Sequence, residues 1–151
     1  MSKKVVDTYE YVSVLRQLTE EGKEVSLPIS GGSMVPFLVH DRDYIFFRKP
    51  NRKLKQGDMV FYQRWNGQFV MHRIYKVKAE GFYIVGDAQT EIEGPVFPKQ
   101  IFAVVTKVKR KGRIIGPEDG CWKFFERVWI RIVPLRPMLV RLYTFFTRHG
   151  R

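Results

Sequence analysis

Three short stretches of this chain combine side chains and turn residues in ways that suit catalysis. The first is Ser30-Gly31-Gly32-Ser33-Met34-Val35-Pro36-Phe37-Leu38. A nucleophilic serine needs its Oγ at a sharp turn, with backbone N–H groups free to hold an oxyanion. Gly31 and Gly32 allow a tight turn and a close approach to substrate. Pro36 suits the first turn of a short helix, whose N–H groups from Gly32 to Met34 would face developing negative charge. Taken alone, a Gly-Gly-Ser run before an apolar stretch is usually only a loop. The second stretch is Val70-Met71-His72-Arg73-Ile74. Strand alternation puts Val70, His72 and Ile74 on one face and Met71, Arg73 and Tyr75 on the other. Neutral imidazole is well matched to removing a hydroxyl proton near neutral pH, although a lone His among apolar neighbours is more often a core residue. The third is Gly86-Asp87-Ala88, followed by Glu91 and Glu93. A carboxylate there could hold His72 in one tautomer, and Asp after Gly is equally a common turn residue.

Positioning these groups falls to a run of short strands. Residues 5–21 read as an amphipathic helix, with Val5, Tyr9, Val12 and Leu15 at helical spacing and Gly22 to end it. From residue 24 to 115 the pattern turns to strands at 24–29, 43–48, 58–63, 69–77, 82–85, 100–109 and 113–115. Asn66-Gly67 is a strong hairpin signal between the third and fourth. The expected fold is mainly β: a compact, partly rolled or barrel-like domain over residues 1–116, with a short N-terminal helix. Residues 117–120 read as a linker. Beyond them, Trp122, Phe125, Trp129 and Ile132 share a helical face while Lys123, Arg127 and Arg131 lie elsewhere, and a second apolar run spans 138–146. Residues 117–151 therefore form an amphipathic helical tail, whose aromatic face suits either a membrane interface or a protein surface.

Composition narrows the partners. Lys and Arg number 27 against 15 Asp and Glu, a net charge of +12, and such an excess calls for an anionic neighbour such as lipid or nucleic acid. The last 31 residues hold seven basic side chains against one acid, Glu126, and so carry half of that charge. No nucleic-acid motif is present. The single Cys121 excludes an intramolecular disulfide, and with three scattered His it offers no metal-ligand spacing. Residues 1–10 lack the apolar core of a secretory signal, and no stretch of 18 apolar residues occurs. The expected location is a membrane periphery or the cytoplasm.

Taken in order, Gly31-x-Ser33-Met34-x-Pro36, Gly57-Asp58-Met59-Val60, His72-Arg73-Ile74 and Gly86-Asp87-Ala88 resemble the signal peptidase I family over roughly residues 25–109. The resemblance implies a mostly β fold, a peptide or preprotein substrate bound as an extended strand, and cleavage after small residues. It makes Ser33 the nucleophile. His72 stands where many bacterial members have Lys, as in the Ser-His branch of endoplasmic-reticulum, archaeal and some Gram-positive enzymes. Lys76 shares the face of His72 but lies about 13 Å further along an extended strand, too far to replace it. Asp87 matches the Gly-Asp box, and a further acid of this branch falls near Glu91 to Glu93, so the third triad member is open between Asp87 and Glu93. Some members have a Ser hydroxyl donor two residues before the nucleophile; here that position is Gly31, and a backbone N–H would serve. Members usually begin with a transmembrane anchor, whereas here a soluble-looking helix precedes Ser33.

The expected function is thus a serine endopeptidase acting through Ser33 and His72, with Asp87 or Glu93 in support. Gly31, Gly32 and Met34 form the oxyanion and substrate-binding positions, and no cofactor or metal takes part. A LexA-like self-cleaving repressor shares the general fold, but residues 1–24 are too short for its DNA-binding module. The rival from another class is a degenerate peptidase-fold module, docking on anionic membrane or nucleic acid through its basic tail.

Overall fold

The computed structural model describes residues 8–149. Helix α1 (Thr8–Glu20) leads into β1 (Val25–Pro28), β2 (Tyr44–Arg48), β3 (Met59–Gln63), β4 (Phe69–Lys78), β5 (Gly81–Val85), β6 (Glu93–Val96), β7 (Ile101–Arg110) and β8 (Arg113–Ile115). Helices α2 (Gly120–Arg127) and α3 (Arg136–His149) follow, joined by two 3-10 turns. Residues 5–7 of the expected first helix lie outside the described residues. Gly22 ends α1 in the left-handed region (φ +84°), where the N–H of Lys23 donates back to Leu18 O at 3.2 Å.

The strands form one antiparallel sheet in the order β1-β2-β7-β3-β4-β5-β6, with β8 added to β7. It is mainly β as expected, but β1 and β6 remain edges, so the sheet does not close. The β3–β4 hairpin turns at Asn66-Gly67, with Gly67 at φ +91°, and its register sets Val60 against His72 and Met59 against Arg73. Strand β6 was not foreseen: Glu93-Gly94-Pro95-Val96 has no alternation. It pairs only with β5, on an edge where a proline is tolerated.

Both sheet faces are buried. One packs Phe47, Phe61 and Phe102 against Val12 and Leu15 of α1 and against Met34, Phe37 and Leu38. The other gathers Val60, Tyr62, Val70, Ile74, Ile84 and Val104. Of the two destinations open to the tail's aromatic face, α2 takes the protein. Asp119 caps it by accepting the Trp122 N–H at 3.1 Å, which turns the expected linker into a helix start. Trp122, Phe125 and Trp129 are 5–6% exposed and belong to the first core, with Phe37 ring centroids 6.1 Å from Trp122 and 4.8 Å from Phe125. Truncating one such ring costs about 3–5 kcal/mol, so this segment belongs to the core across the boundary expected at 116/117. Helix α3 does not follow it: Met138, Val140, Leu142, Tyr143, Phe145 and Phe146 are exposed.

Candidate functional site

The Gly-Gly-Ser stretch follows β1 as a turn rather than the expected short helix. Met34, Phe37 and Leu38 are 0–2% exposed, and their burial decides the backbone here over helix-start preference. The Leu38 N–H donates to Met34 O at 2.9 Å, closing one turn, and the Val35–Pro36 peptide is cis. Ser33 is half-buried, with Gly31 and Gly32 exposed beside it. The Gly31 N–H is taken by His40 Nδ1 at 3.0 Å. The N–H groups of Gly32, Ser33 and Met34 have no hydrogen-bond partner among the described residues, so they, and not Gly31, are the donors available to an oxyanion.

Ser33 and His72 line the same cavity of about 410 Å³. Its walls come from Val12 of α1, from residues 27–30 at and just beyond the end of β1, and from Phe69 and Met71 of β4, with Arg64, Gln68 and Gln89 as the polar part. His72 also borders a second cavity with Gln89, Ile84 and Glu93, so the imidazole stands between the two. No hydrogen bond joins Ser33 Oγ to His72 among the described residues. In unliganded sites such contacts are often long and tighten only when substrate binds.

His72 is 7% exposed. Burial pushes its pKa down from 6.5 to about 4; the nearby charges of Glu93 and Asp87 pull it up, while Arg64 pushes it down. The ring is therefore neutral at pH 7, the form required of a base. Lys76 is remote from it. A bulge between Ile74 and Lys76 breaks the strand register, and its ammonium sits 5.5 Å from the centre of the Tyr75 ring.

Asp87, expected as a partner of His72, is instead held by Arg73. The guanidinium donates from Nε to Oδ1 and from Nη2 to Oδ2, both at 2.9 Å, and the two side chains are 1% and 0% exposed. Alternation along β4 explains the choice, because Arg73 faces the opposite side of the sheet from His72. Glu93 lies on the His72 side, but Arg64 and Tyr62 occupy it. Arg64 donates to its Oε2 from Nε at 3.0 Å and to its Oε1 from Nη2 at 2.6 Å, and the Tyr62 hydroxyl donates to Oε1 at 2.9 Å. Those bonds from Arg64 hold the Glu93 carboxyl below the usual carboxylate range. Neither acid accepts a hydrogen bond from His72 among the described residues; Glu93 is the stronger electrostatic influence on the ring.

The four sequence boxes meet around Arg73. Its Nη1 donates to Gly57 O at 2.9 Å, and its guanidinium carbon lies 5.4 Å from the Phe37 ring centre. Through Asp87 it reaches the segment 86–88, where the Ala88 N–H donates to Ser33 O at 2.9 Å. A Cβ on Gly86 would lie 2.6 Å from that same Ser33 oxygen, so only glycine lets the two loops approach this closely. Asp58 serves the fold as well, accepting from Arg52 and from the Lys55 N–H at 2.8 and 2.9 Å.

Sequence reasoning missed a clamp from the C-terminal side. The Trp129 indole N–H donates to Asp87 O at 2.8 Å. Arg136, 2% exposed, donates from Nη1 to Gly86 O and Gln89 O, both at 2.9 Å, and from Nη2 to Trp129 O at 3.0 Å. The only signal in the sequence was an arginine between Leu135 and Pro137 in an apolar run, where it must find acceptors if buried. Among the described residues no three His, Cys, Asp or Glu side chains converge as a metal set, and no helix is long and apolar enough to cross a membrane. No protein-family model, curated protein or solved structure matches this chain.

Proposed function

We propose that this chain is a serine endopeptidase in which Ser33 attacks the scissile carbonyl of a peptide laid in the cavity as an extended strand. His72 takes the Ser33 proton as the C–O bond forms, and the N–H groups of Gly32, Ser33 and Met34 hold the oxyanion. The protonated imidazole then gives its proton to the leaving amine, and a water activated by the same ring hydrolyses the acyl-enzyme. Glu93, which raises the proton affinity of His72, stabilises the transient imidazolium. Arg73 and Asp87 act as positioning residues that tie the serine turn to β4. The observation that carries this reading is the meeting of Ser33 and His72, from separate elements, in one cavity. The ordered boxes that resemble signal peptidase I support it further and imply leader- or signal-type peptides cut after small residues.

The test is cleavage of a mixed peptide library by the purified protein, with products read by mass spectrometry. Ser33→Ala and His72→Ala should each abolish cleavage; circular dichroism should show both folded, with the thermal midpoint within a few degrees for Ser33→Ala and lower for His72→Ala, which leaves a cavity at a buried position. Cleavage that persists in Ser33→Ala overturns the proposal. One observation favours a second reading, a peptidase-fold module that binds peptides without cutting them: His72 receives no hydrogen bond from Ser33 and gives none to either acid among the described residues. Peptide binding by the unaltered protein with no cleaved product would favour that module.

A further inference from the structure

Helix α3 contrasts with the segment before it. Burial runs through Trp129, Ile130, Val133 and Arg136 and then stops, and six large apolar side chains follow at 46–72% exposure: Met138, Val140, Leu142, Tyr143, Phe145 and Phe146. No other stretch of the described residues exposes apolar groups so densely, and a patch of this kind marks an interaction surface. At 3.6 residues per turn, Met138, Leu142, Phe145, Phe146 and Tyr143 fall on one arc together with the half-buried Leu139. Arg141, Thr144 and Arg148 fall on the opposite one, with Val140 beside Thr144. Between Arg127 and His149 there is no Asp or Glu, and neither Arg141 nor Arg148 has an acidic partner among the described residues.

We infer that α3 docks on an anionic lipid surface, lying in its plane with the Met138–Leu142–Phe146 side among the acyl chains. The two halves of the helix need different things, an apolar medium and an array of negative charge. An anionic bilayer interface supplies both within a few ångströms. A second copy of this chain would cover the apolar arc but, with no acid between Arg127 and His149, its own α3 would offer the arginines no counter-charge. Fourteen residues span about 21 Å, short of the roughly 30 Å of a hydrocarbon core, which suits a helix that lies along the surface. The root of α3 gives docking a consequence for the cavity. Arg136 is the first residue of the helix and is bonded to the carbonyls of Gly86 and Gln89, and Gln89 lines the cavity that holds Ser33. The lipid surface would therefore lie beside the cavity mouth. Docking of this kind concerns binding alone and stands whether or not the site cleaves peptides.

The experiment is co-sedimentation of the full chain with vesicles of phosphatidylcholine alone and of equal parts phosphatidylcholine and phosphatidylglycerol, with oligomeric state followed by light scattering. Binding is expected to the anionic vesicles only. The exposed-site variant Leu142→Ser/Phe145→Ser/Phe146→Ser should lose it, and Arg141→Gln/Arg148→Gln should weaken it roughly 30-fold, at about one Lys or Arg contribution per residue removed. Circular dichroism and the thermal midpoint check that both variants keep the fold. Equal binding to both vesicle types, or binding unchanged in the serine variant, overturns the inference. So does a dimer that disappears in that variant while no vesicle binding is seen, since it assigns the face to a second copy.

Discussion

Replacing His72 with Gln should remove a specific part of the pH dependence of folding. In the unfolded chain the imidazole protonates at its ordinary value of 6.5, whereas in the folded site burial holds protonation off until about pH 4. Between those values the unfolded state binds more protons than the native one, so stability rises with pH and is lost as pH falls. Its contribution is fully present above 6.5 and declines by about 1.4 kcal/mol per unit below it. From pH 6.5 down to about 5, that is about 2 kcal/mol, a large fraction of a typical domain's stability. Glu93 and Asp43 also have lowered values, through Arg64 for the first and through Arg42 and the Val39 and Lys111 N–H groups for the second. Their losses begin only near their ordinary values of 4.5 and 3.8, which leaves the upper window to His72. Urea midpoints of the protein and of His72→Gln between pH ~7 and ~5 measure the difference in slope. Parallel curves would mean that the ring protonates freely in the folded state and is not held neutral by burial. By the same argument kcat/KM should stay flat to about pH 5 and fall toward about 4, and an acid limb centred on 6.5 would refute it equally.

Arg73→Met should destabilise the fold by about 3–5 kcal/mol, since it leaves the Asp87 carboxylate buried and unpaired, while Arg73→Met/Asp87→Leu should recover most of that loss; denaturant unfolding decides. Gly86→Ala puts a methyl against the Ser33 carbonyl, and a cost of about 1–3 kcal/mol is expected. Its cleavage rate should fall further than its stability, because the displaced group is the backbone of the proposed nucleophile, Ser33. Glu93→Gln should lower the imidazole pKa further, seen by NMR titration of the His72 ring, and should reduce kcat, whereas Asp87→Asn should disturb stability first. An unmoved His72 titration in Glu93→Gln would remove Glu93 from the site.

Much of this was legible along the chain. Alternation and turn residues are local signals, and they identified all but one of the strands, the Asn66-Gly67 hairpin and the opposed faces of His72 and Arg73. Strand β6 escaped because its identity comes from pairing with β5 and not from any pattern of its own. The Met34–Leu38 segment escaped because core burial overrode the helix start that its proline suggested. The aromatic face of residues 122–132 had two physically equal destinations, because an apolar stripe on a helix leaves water equally well for lipid or for protein.

What the sequence determined by itself was which residues could do chemistry and which side of a strand each occupies, because residue type and a period of two are properties of the chain alone. Tertiary structure alone decided the partnerships. Asp87 went to Arg73 and Glu93 to Arg64 and Tyr62, and the Gly31 N–H went to His40. Arg136 reached back to the loop that supports Ser33. Each outcome is a competition among donors and acceptors brought together from distant parts of the chain, and burial makes every unpaired loser expensive. For that reason Ser33 and His72 could be singled out as candidates from their order in the sequence, while the groups that hold them in place appear only once the sheet is folded.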